Sequence, residues 1–172
     1  MVPIEEKIFD LHARTKLPNG LIRTYSVVSR EGAQLGGCFE LRVSLDANSR
    51  GGSRYVHEQL RVGDVLEVGR IISSVRPAMS ASKHIFVVEG IGITAFLALM
   101  ARYHCIHWDF KLHFAVASPE DVPFMDRLEP FGAKAKMYHK FKGERMDVHK
   151  IVGQLPWNSH LQFVGHGTGC VQ

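Results

Sequence analysis

The chain has 172 residues, of which 45% are hydrophobic and 22% are charged, and this composition is typical of a soluble globular protein. Its formal net charge of +4 suits an anionic small molecule, while the lack of a basic run interleaved with aromatic residues argues against a nucleic-acid partner. No apolar stretch is long enough for a membrane span, and the three cysteines lie far apart. We therefore expect no membrane segment, no bound metal and a cytoplasmic location.

The first part of the chain carries the signals of antiparallel strands. The predicted strands are residues 8–13, 21–29, 38–45 and 64–68, with a short helix over 55–60. Pro18-Asn19-Gly20 is a turn signal between the first two strands, and residues 38–45 alternate between apolar and polar side chains, as a half-buried strand does. These elements predict a partial antiparallel β-barrel over residues 1–75.

From residue 84 onward, strands and helices are predicted to alternate. The predicted strands are 85–88, 110–116, 135–138 and 160–164, and the predicted helices are 91–103, 119–131 and 147–155. Such alternation is typical of a parallel sheet with helices on its faces. The segment 73–83 is rich in Ser, Pro and Ala, so we place a domain boundary within it. The second predicted domain, residues 76–172, is an α/β domain of the nucleotide-binding kind.

Arg23, Tyr25 and Ser26 form the first candidate binding motif, on the second predicted strand. In a regular strand Arg23 and Tyr25 face one side and Ser26 faces the other, unless a bulge intervenes. The arginine offers a planar fork to a phosphate, and the tyrosine ring can lie against a flat conjugated ring. The serine hydroxyl or backbone amide can hydrogen-bond a ring nitrogen. The simpler alternative is a sheet strand with an exposed arginine.

Gly51, Gly52 and Ser53 precede the short predicted helix and form the second motif. Glycines let backbone amides approach an anion, and the start of a helix presents N–H groups with a positive dipole end. The alternative is a plain loop with a serine cap. Combined with Arg23, the motif favours a phosphate site.

Gly90, Gly92 and Thr94 lie between a predicted strand and a predicted helix and form the third motif. Nucleotide diphosphates bind at such turns, at the carboxyl end of a parallel strand. The motif is shorter than the full dinucleotide fingerprint, so alone it only suggests a cofactor.

Together these motifs resemble those of the ferredoxin reductase-like superfamily, and most of all its phthalate dioxygenase reductase and vanillate demethylase reductase group. The matching segments are Arg23-x-Tyr25-Ser26, Arg50-Gly-Gly-Ser53 followed by His57, Gly63-Asp64, and Gly90-Ile-Gly-Ile-Thr94. The resemblance implies a barrel that binds FMN or FAD, followed by a nicotinamide-binding α/β domain. It also implies that Arg23 and Ser53 hold the flavin phosphate, that Tyr25 packs on the flavin ring, and that Ser26 lies near its reactive nitrogen.

The chain also departs from the pattern of that family. The family barrel begins some strands earlier, so we expect a truncated barrel here and a homodimer that covers the open sheet edge. In the family a two-iron ferredoxin domain follows, so we expect no electron delivery to an oxygenase by this chain alone. Glu89 replaces a family glycine, Ala95 a proline, Ala117 an arginine, and Gly165-His166-Gly167 a terminal Cys-Gly-Pro. A carboxylate about 5 Å from a pyrophosphate costs roughly 3 kcal/mol per charge pair. We therefore predict that NAD(P)H binding is weakened or lost.

Three functional hypotheses follow. The first is a flavin-dependent oxidoreductase that passes electrons between flavin and a small-molecule substrate, with Ser26 near the reacting atoms. The second is a redox-inactive, cofactor-free cyclase or isomerase of specialised metabolism. In this hypothesis Glu89 and His166, at the carboxyl ends of two predicted strands, transfer protons. The alternative is that Glu89 is a solvated carboxylate at the rim and His166 a histidine of the C-terminal tail. The third is a non-catalytic remnant that only binds a ligand.

Overall fold

The computed structural model describes residues 11–28, 40–46, 48–73, 78–120 and 122–165. The chain divides into two compact units, Met1–Arg76 and Pro77–Gln172. The first unit is antiparallel and the second contains a parallel sheet, so the predicted fold class is confirmed. The assignment of residues 1–75 to a flavin domain and 76–172 to a nicotinamide-type domain stays a prediction.

Within its described residues, the first unit contains a three-stranded antiparallel sheet and one short helix. The strands are β1 (Leu11–Lys16), β2 (Ile22–Val27) and β3 (Glu67–Ser73), in the spatial order β2-β1-β3, and the helix is α1 (Gly52–Glu58). The predicted turn joins β1 to β2: the amide of Leu17 donates to the carbonyl of Leu21 at 2.8 Å, and the side chain of Asn19 accepts from the amide of Leu21 at 3.1 Å. The polar turn residues thus satisfy the backbone of the hairpin.

The predicted strand over residues 38–45 is wrong for its described part. Within 40–46 the structure shows an isolated bridge between Val27 and Leu41 and a bond from the amide of Val28 to the carbonyl of Glu40 at 2.7 Å. Burial alternates from Leu41 to Ser44 but not beyond, because Leu45 is 53% exposed. The carbonyl of Val43 lies 2.7 Å from Nε2 of His57 on α1, so the segment contacts the helix as well as β2 without a continuous strand ladder.

The second unit contains a four-stranded parallel sheet in the order β6-β5-β4-β7. The strands are β4 (Lys83–Glu89), β5 (Phe110–Val116), β6 (Ala135–His139) and β7 (Ser159–Val164), and the α-helices are α2 (Leu97–Cys105), α3 (Met125–Leu128) and α4 (Val148–Gly153). The described part of this unit also contains 3₁₀ turns at Gly90–Ala95, Glu129–Lys134 and Lys140–Lys142. No helix within the described ranges is both long and apolar enough to cross a bilayer.

The core of this unit lies on both faces of the parallel sheet. On one face Phe86 packs with Phe110 and with Tyr103 of α2. On the other face Val87 packs in a cluster with Ile151 of α4. A sheet covered on both faces has largely apolar strands. Residues 85–88 of β4 are apolar throughout, whereas Lys111 and His113 interrupt β5, which nevertheless has the predicted limits 110–116.

Two predicted helices are shorter than expected. The helix predicted over 91–103 begins as the 3₁₀ turn Gly90–Ala95 and becomes α-helical only at Leu97. The helix predicted over 119–131 is limited to Met125–Leu128, because Phe124 adopts a left-handed conformation with φ of 60°. That conformation cannot continue a right-handed helix.

Candidate functional site

Arg23 lies against the start of α1, as the phosphate hypothesis requires. Its Nη2 donates to the carbonyl of Arg50 at 2.9 Å, and its Nη1 donates to the carbonyl of Ile22 at 2.8 Å. A Cβ built on Gly52 would stand 2.7 Å from Nε of Arg23 and 3.0 Å from its Cγ. The absence of a side chain at Gly52 thus creates the space that the arginine occupies, and the structure brings these two predicted residues together.

The loop before α1 is organised by Ser49, which the sequence-based prediction of site residues did not include. Its Oγ accepts from the amides of Gly51 at 3.2 Å and Arg54 at 3.4 Å, and from the hydroxyl of Ser53 at 2.8 Å. The Ser53 Oγ in turn accepts from the amide of Asp46 at 3.2 Å. Ser49 lies two residues before the N-cap residue Gly51, which makes no side-chain cap bond. A serine hydroxyl in such a turn readily accepts from nearby backbone amides, and this is how Ser49 shapes the loop.

Tyr25 and Ser26 occupy opposite faces of β2. The pairing of β1 with β2 is regular, with Ala13 opposite Tyr25 and Thr15 opposite Arg23, so Tyr25 shares the face of Arg23 and Ser26 faces away. Within the described residues the buried Tyr25 hydroxyl has no hydrogen-bond partner. Burial raises the pKa of Tyr25, and the nearby Arg23 cation acts in the opposite direction.

The turn after β4 has structural reasons for its glycine and threonine. A Cβ on Gly92 would stand 2.6 Å from Cγ1 of Val164 on β7, so glycine is required for the turn to pack against the sheet. The buried hydroxyl of Thr94 donates to the carbonyl of Ile91 at 2.9 Å and holds the same turn together. Gly90 has a φ of 52°, with open space where a Cβ would be. A cofactor role for these three residues stays a prediction.

A cavity of about 410 Å³ opens at the carboxyl ends of the parallel strands. It is lined by Glu89, Ala115, Lys140, Arg145 and Met146. The Nζ of Lys140 lies 3.8 Å from Oε1 of Glu89. The volume falls within the usual range for small-molecule pockets, and the cavity combines one carboxylate with two cations.

The structure brings Glu89 to a lysine, while His166 lies outside the described residues. The predicted Glu89–His166 pair therefore stays a prediction. Lys140 and Arg145 were missed because they follow β6, beyond the glycine motif on which the sequence-based prediction relied. Their signal was available: basic residues directly after a parallel strand lie at the edge where such sheets bind ligands.

Comparisons with known proteins agree with this architecture, although no protein-family model matches the chain. The carnitine monooxygenase reductase subunit of Escherichia coli (strain K12) is 35% identical over 130 residues, which cover 74% of this chain and 40% of that protein. The phthalate 4,5-dioxygenase oxygenase reductase subunit of Pseudomonas putida is 33% identical over 141 residues, covering 80% and 43%. The chain thus spans less than half of the length of these two curated relatives.

A solved structure of phthalate dioxygenase reductase has the same fold. It superposes with a TM-score of 0.76 at 25% identity, covering 90% of this chain and 50% of that one. The antiparallel unit followed by the parallel-sheet unit is thus shared with a reductase of known structure. The chain belongs to the ferredoxin reductase-like superfamily, and its relatives are reductases of the phthalate dioxygenase reductase type.

Proposed function

We propose that this chain acts as a flavin-dependent oxidoreductase, with FMN or FAD held by the antiparallel unit. The observation that carries the proposal is the contact of Arg23 with Gly52 at the start of α1. A bound flavin supplies hydride and electron transfer, while the protein binds and orients it. The relatives are named as reductases and reductase subunits, which supports the same class of activity.

The phosphate of the flavin would bind between Arg23 and the first turn of α1. An arginine has five N–H donors, and the two bonds to backbone carbonyls fix its guanidinium while leaving capacity for phosphate oxygens. Because the amides of Gly51 and Arg54 already donate to Ser49, the amides of Gly52 and Ser53 are the ones we assign to the phosphate. The Ser53 hydroxyl belongs to the loop network, so its role would be to hold the loop.

The flat ring of the flavin would lie near Tyr25. Its ring is half-buried on the same face as Arg23, and its buried hydroxyl lacks a partner in the described structure. An unpaired buried hydroxyl costs about 1 to 3 kcal/mol, and a polar ligand atom would offset that cost. Because Ser26 faces the other side of β2, we assign its contact with the ring nitrogen to its backbone amide.

We further propose that NAD(P)H reaches the parallel-sheet unit but binds less tightly than it would with a glycine in place of Glu89. The solved relative is described as a modular structure for electron transfer from pyridine nucleotides to a 2Fe-2S centre. Here Glu89 lines the cavity at the strand ends, and Ala117 supplies no guanidinium for the nucleotide. Both features reduce the attraction for a polyanion.

We propose that the electron acceptor is a redox partner protein. The curated relatives include reductase subunits of monooxygenase and dioxygenase systems, which favours a protein partner, while a small-molecule substrate and a homodimer stay predictions. Size-exclusion chromatography with light scattering measures the homodimer directly, and a monomer at micromolar concentration would contradict it.

The central experiment is flavin binding by the purified chain. We expect the purified chain to take up FMN or FAD and to show the visible absorbance of a flavin. We expect Arg23→Met to raise the dissociation constant 10- to 100-fold, because a hydrogen bond to a charged group contributes about 1.5 to 3 kcal/mol. Arg14→Met is the matched control, since Arg14 lies on the neighbouring strand with its side chain exposed. A chain that stays colourless with either flavin, while circular dichroism shows it folded, would refute the proposal.

A further inference from the structure

The cavity at the carboxyl ends of the parallel strands contains an ion pair that no recognised motif contributes. Glu89 ends β4, and Lys140 begins the turn directly after β6. Their charged atoms lie 3.8 Å apart, and the Glu89 side chain is 28% exposed against 61% for Lys140. With Arg145 on the same wall, one carboxylate and two cations give the cavity a formal charge of +1.

The position of Lys140 is set by backbone bonds between two loops. The amide of Phe141 donates to the carbonyl of Ala117, the residue after β5, at 3.0 Å. The amide of His139 donates a hydrogen bond to the Glu144 carboxylate at 3.0 Å, and the amide of Glu144 donates one to the carbonyl of His139 at 3.2 Å. The loop after β6 is therefore tied to the strand ends, and the lysine at its start is held beside the cavity.

This arrangement changes the electrostatic argument about Glu89. A lone carboxylate at a strand end repels a phosphate, and that repulsion underlies the prediction of weakened nucleotide binding. A cation 3.8 Å from the carboxylate offsets its field at any ligand a few ångströms farther away. The carboxylate and the lysine together act on such a ligand as a weak dipole, and Arg145 remains as the uncompensated charge.

We propose that Lys140 is a positioning residue that neutralises Glu89, so that the cavity accepts the phosphates of a pyridine nucleotide despite the carboxylate on its wall. The inference rests on the proposed function, because that function brings the nucleotide to this edge of the sheet. Lys140 acts by its electrostatic field and not by its own contact with the ligand. Because Coulomb fields add, the loss from removing the lysine and the gain from removing the carboxylate should cancel when both charges are removed.

The test is a double-mutant cycle that measures NAD⁺ binding by isothermal titration calorimetry at about 0.05 M salt, where surface charges are weakly screened. In the parent chain we expect Lys140→Met to weaken binding fivefold to tenfold, which corresponds to about 1 to 1.4 kcal/mol. We expect Glu89→Gln alone to strengthen binding by a similar factor, and the double variant to bind within about twofold of the parent chain. Lys142→Met is the matched control, because it removes the same charge from an exposed lysine in the same turn.

Two results would overturn the inference. A double variant that binds as weakly as Lys140→Met alone would show that the charge of Glu89 does not act on the ligand, and equal losses from the Lys140 and Lys142 substitutions would show a general charge effect. The proposed function is tested separately by flavin uptake. Flavin uptake without measurable NAD⁺ binding refutes this inference and leaves the flavin proposal intact. NAD⁺ binding that depends on the charges of residues 89 and 140 as expected, without flavin uptake, supports this inference and refutes the flavin proposal.

Discussion

Gly52, the first residue of α1, and Gly92, in the turn after β4, both lie where a Cβ would meet another side chain, but the two side chains differ. A Cβ on Gly52 would meet the Nε and Cγ of Arg23, part of a flexible and only half-buried side chain. A Cβ on Gly92 would meet Cγ1 of Val164, a short side chain on a strand of the parallel sheet. Glycine therefore makes room for a charge in the first unit and for sheet packing in the second.

The comparison shows what a glycine-rich turn in a sequence does and does not indicate. Glycine marks a close approach to the backbone, and both turns confirm that approach. Which group approaches is decided by the tertiary neighbours. Substitutions that separate binding from stability test this difference.

Gly92→Ala is expected to have the largest effect. The added methyl would stand 2.6 Å from Cγ1 of Val164, and overpacking of this kind costs about 1 to 3 kcal/mol. Urea unfolding followed by tryptophan fluorescence measures the loss in this unit, because Trp108 and Trp157 both belong to it. Gly153→Ala is the control, since nothing lies within 4 Å of its Cβ position. The double substitution with Val164→Ala should recover part of the loss, and no recovery would contradict the packing role.

Acidification should destabilise the parallel-sheet unit through His113. Burial, together with Lys111 and Lys136, lowers the pKa of His113 to about 4, and its Nδ1 lies 2.8 Å from the Tyr138 hydroxyl. The folded state keeps this histidine neutral while the unfolded state takes up a proton below pH about 6.5. The free energy of unfolding should therefore fall by about 2 kcal/mol between pH 6.5 and 4, after a discount for partial exposure.

The measurement is the urea midpoint as a function of pH. His113→Phe should flatten the slope between pH 6.5 and 4, whatever its effect on stability at neutral pH. His149→Asn, at an exposed position of α4, should leave the slope unchanged. His84 and His160, whose pKa values burial also lowers, contribute with the same sign, so a smaller slope remains. An unchanged slope in His113→Phe would contradict the assignment.

Gly52→Ala should separate flavin binding from stability. The added methyl displaces the Arg23 side chain, and we expect about tenfold weaker flavin binding, which corresponds to about 1.4 kcal/mol. Stability should change by less than 1 kcal/mol, because a flexible side chain can move and alanine favours a helix over glycine. Flavin titration and thermal unfolding of the same sample measure both quantities. A loss of stability as large as that of Gly92→Ala would remove the distinction between the two turns.

Tyr25→Phe should have the smallest effect. Its hydroxyl is buried and unpaired within the described structure, so its removal should raise the free energy of unfolding by up to about 1 kcal/mol. If the ring packs against flavin, binding should change little in Tyr25→Phe and fall at least tenfold in Tyr25→Ala. Equal binding by both variants, measured by flavin titration, would show that the ring makes no contact.

The strands of the parallel sheet were predictable because a strand covered on both faces is apolar throughout. Residues 85–88 carry that pattern within β4, and the strand over 110–116 has its predicted limits although Lys111 and His113 interrupt its apolar residues. Residues 38–45 show the opposite case. Their sequence alternation predicts a strand, but the described residues 40–46 make an isolated bridge to Val27 and a bond from Val43 to His57 of α1, and a local pattern does not show which partners a segment will meet.

The sequence alone determined the order of the elements, the family, and the short-range motifs that contain Arg23, Tyr25 and Gly52. The order of the elements follows from local periodicity, and the family follows from the resemblance of these motifs to those of known reductases. Only the tertiary structure decided that Arg23 fills the space left by Gly52, that Gly92 packs against Val164, and that Lys140 stands beside Glu89. Each of these pairs is separated by dozens of residues, and long-range contacts depend on how the strands pair, which no short window of sequence contains.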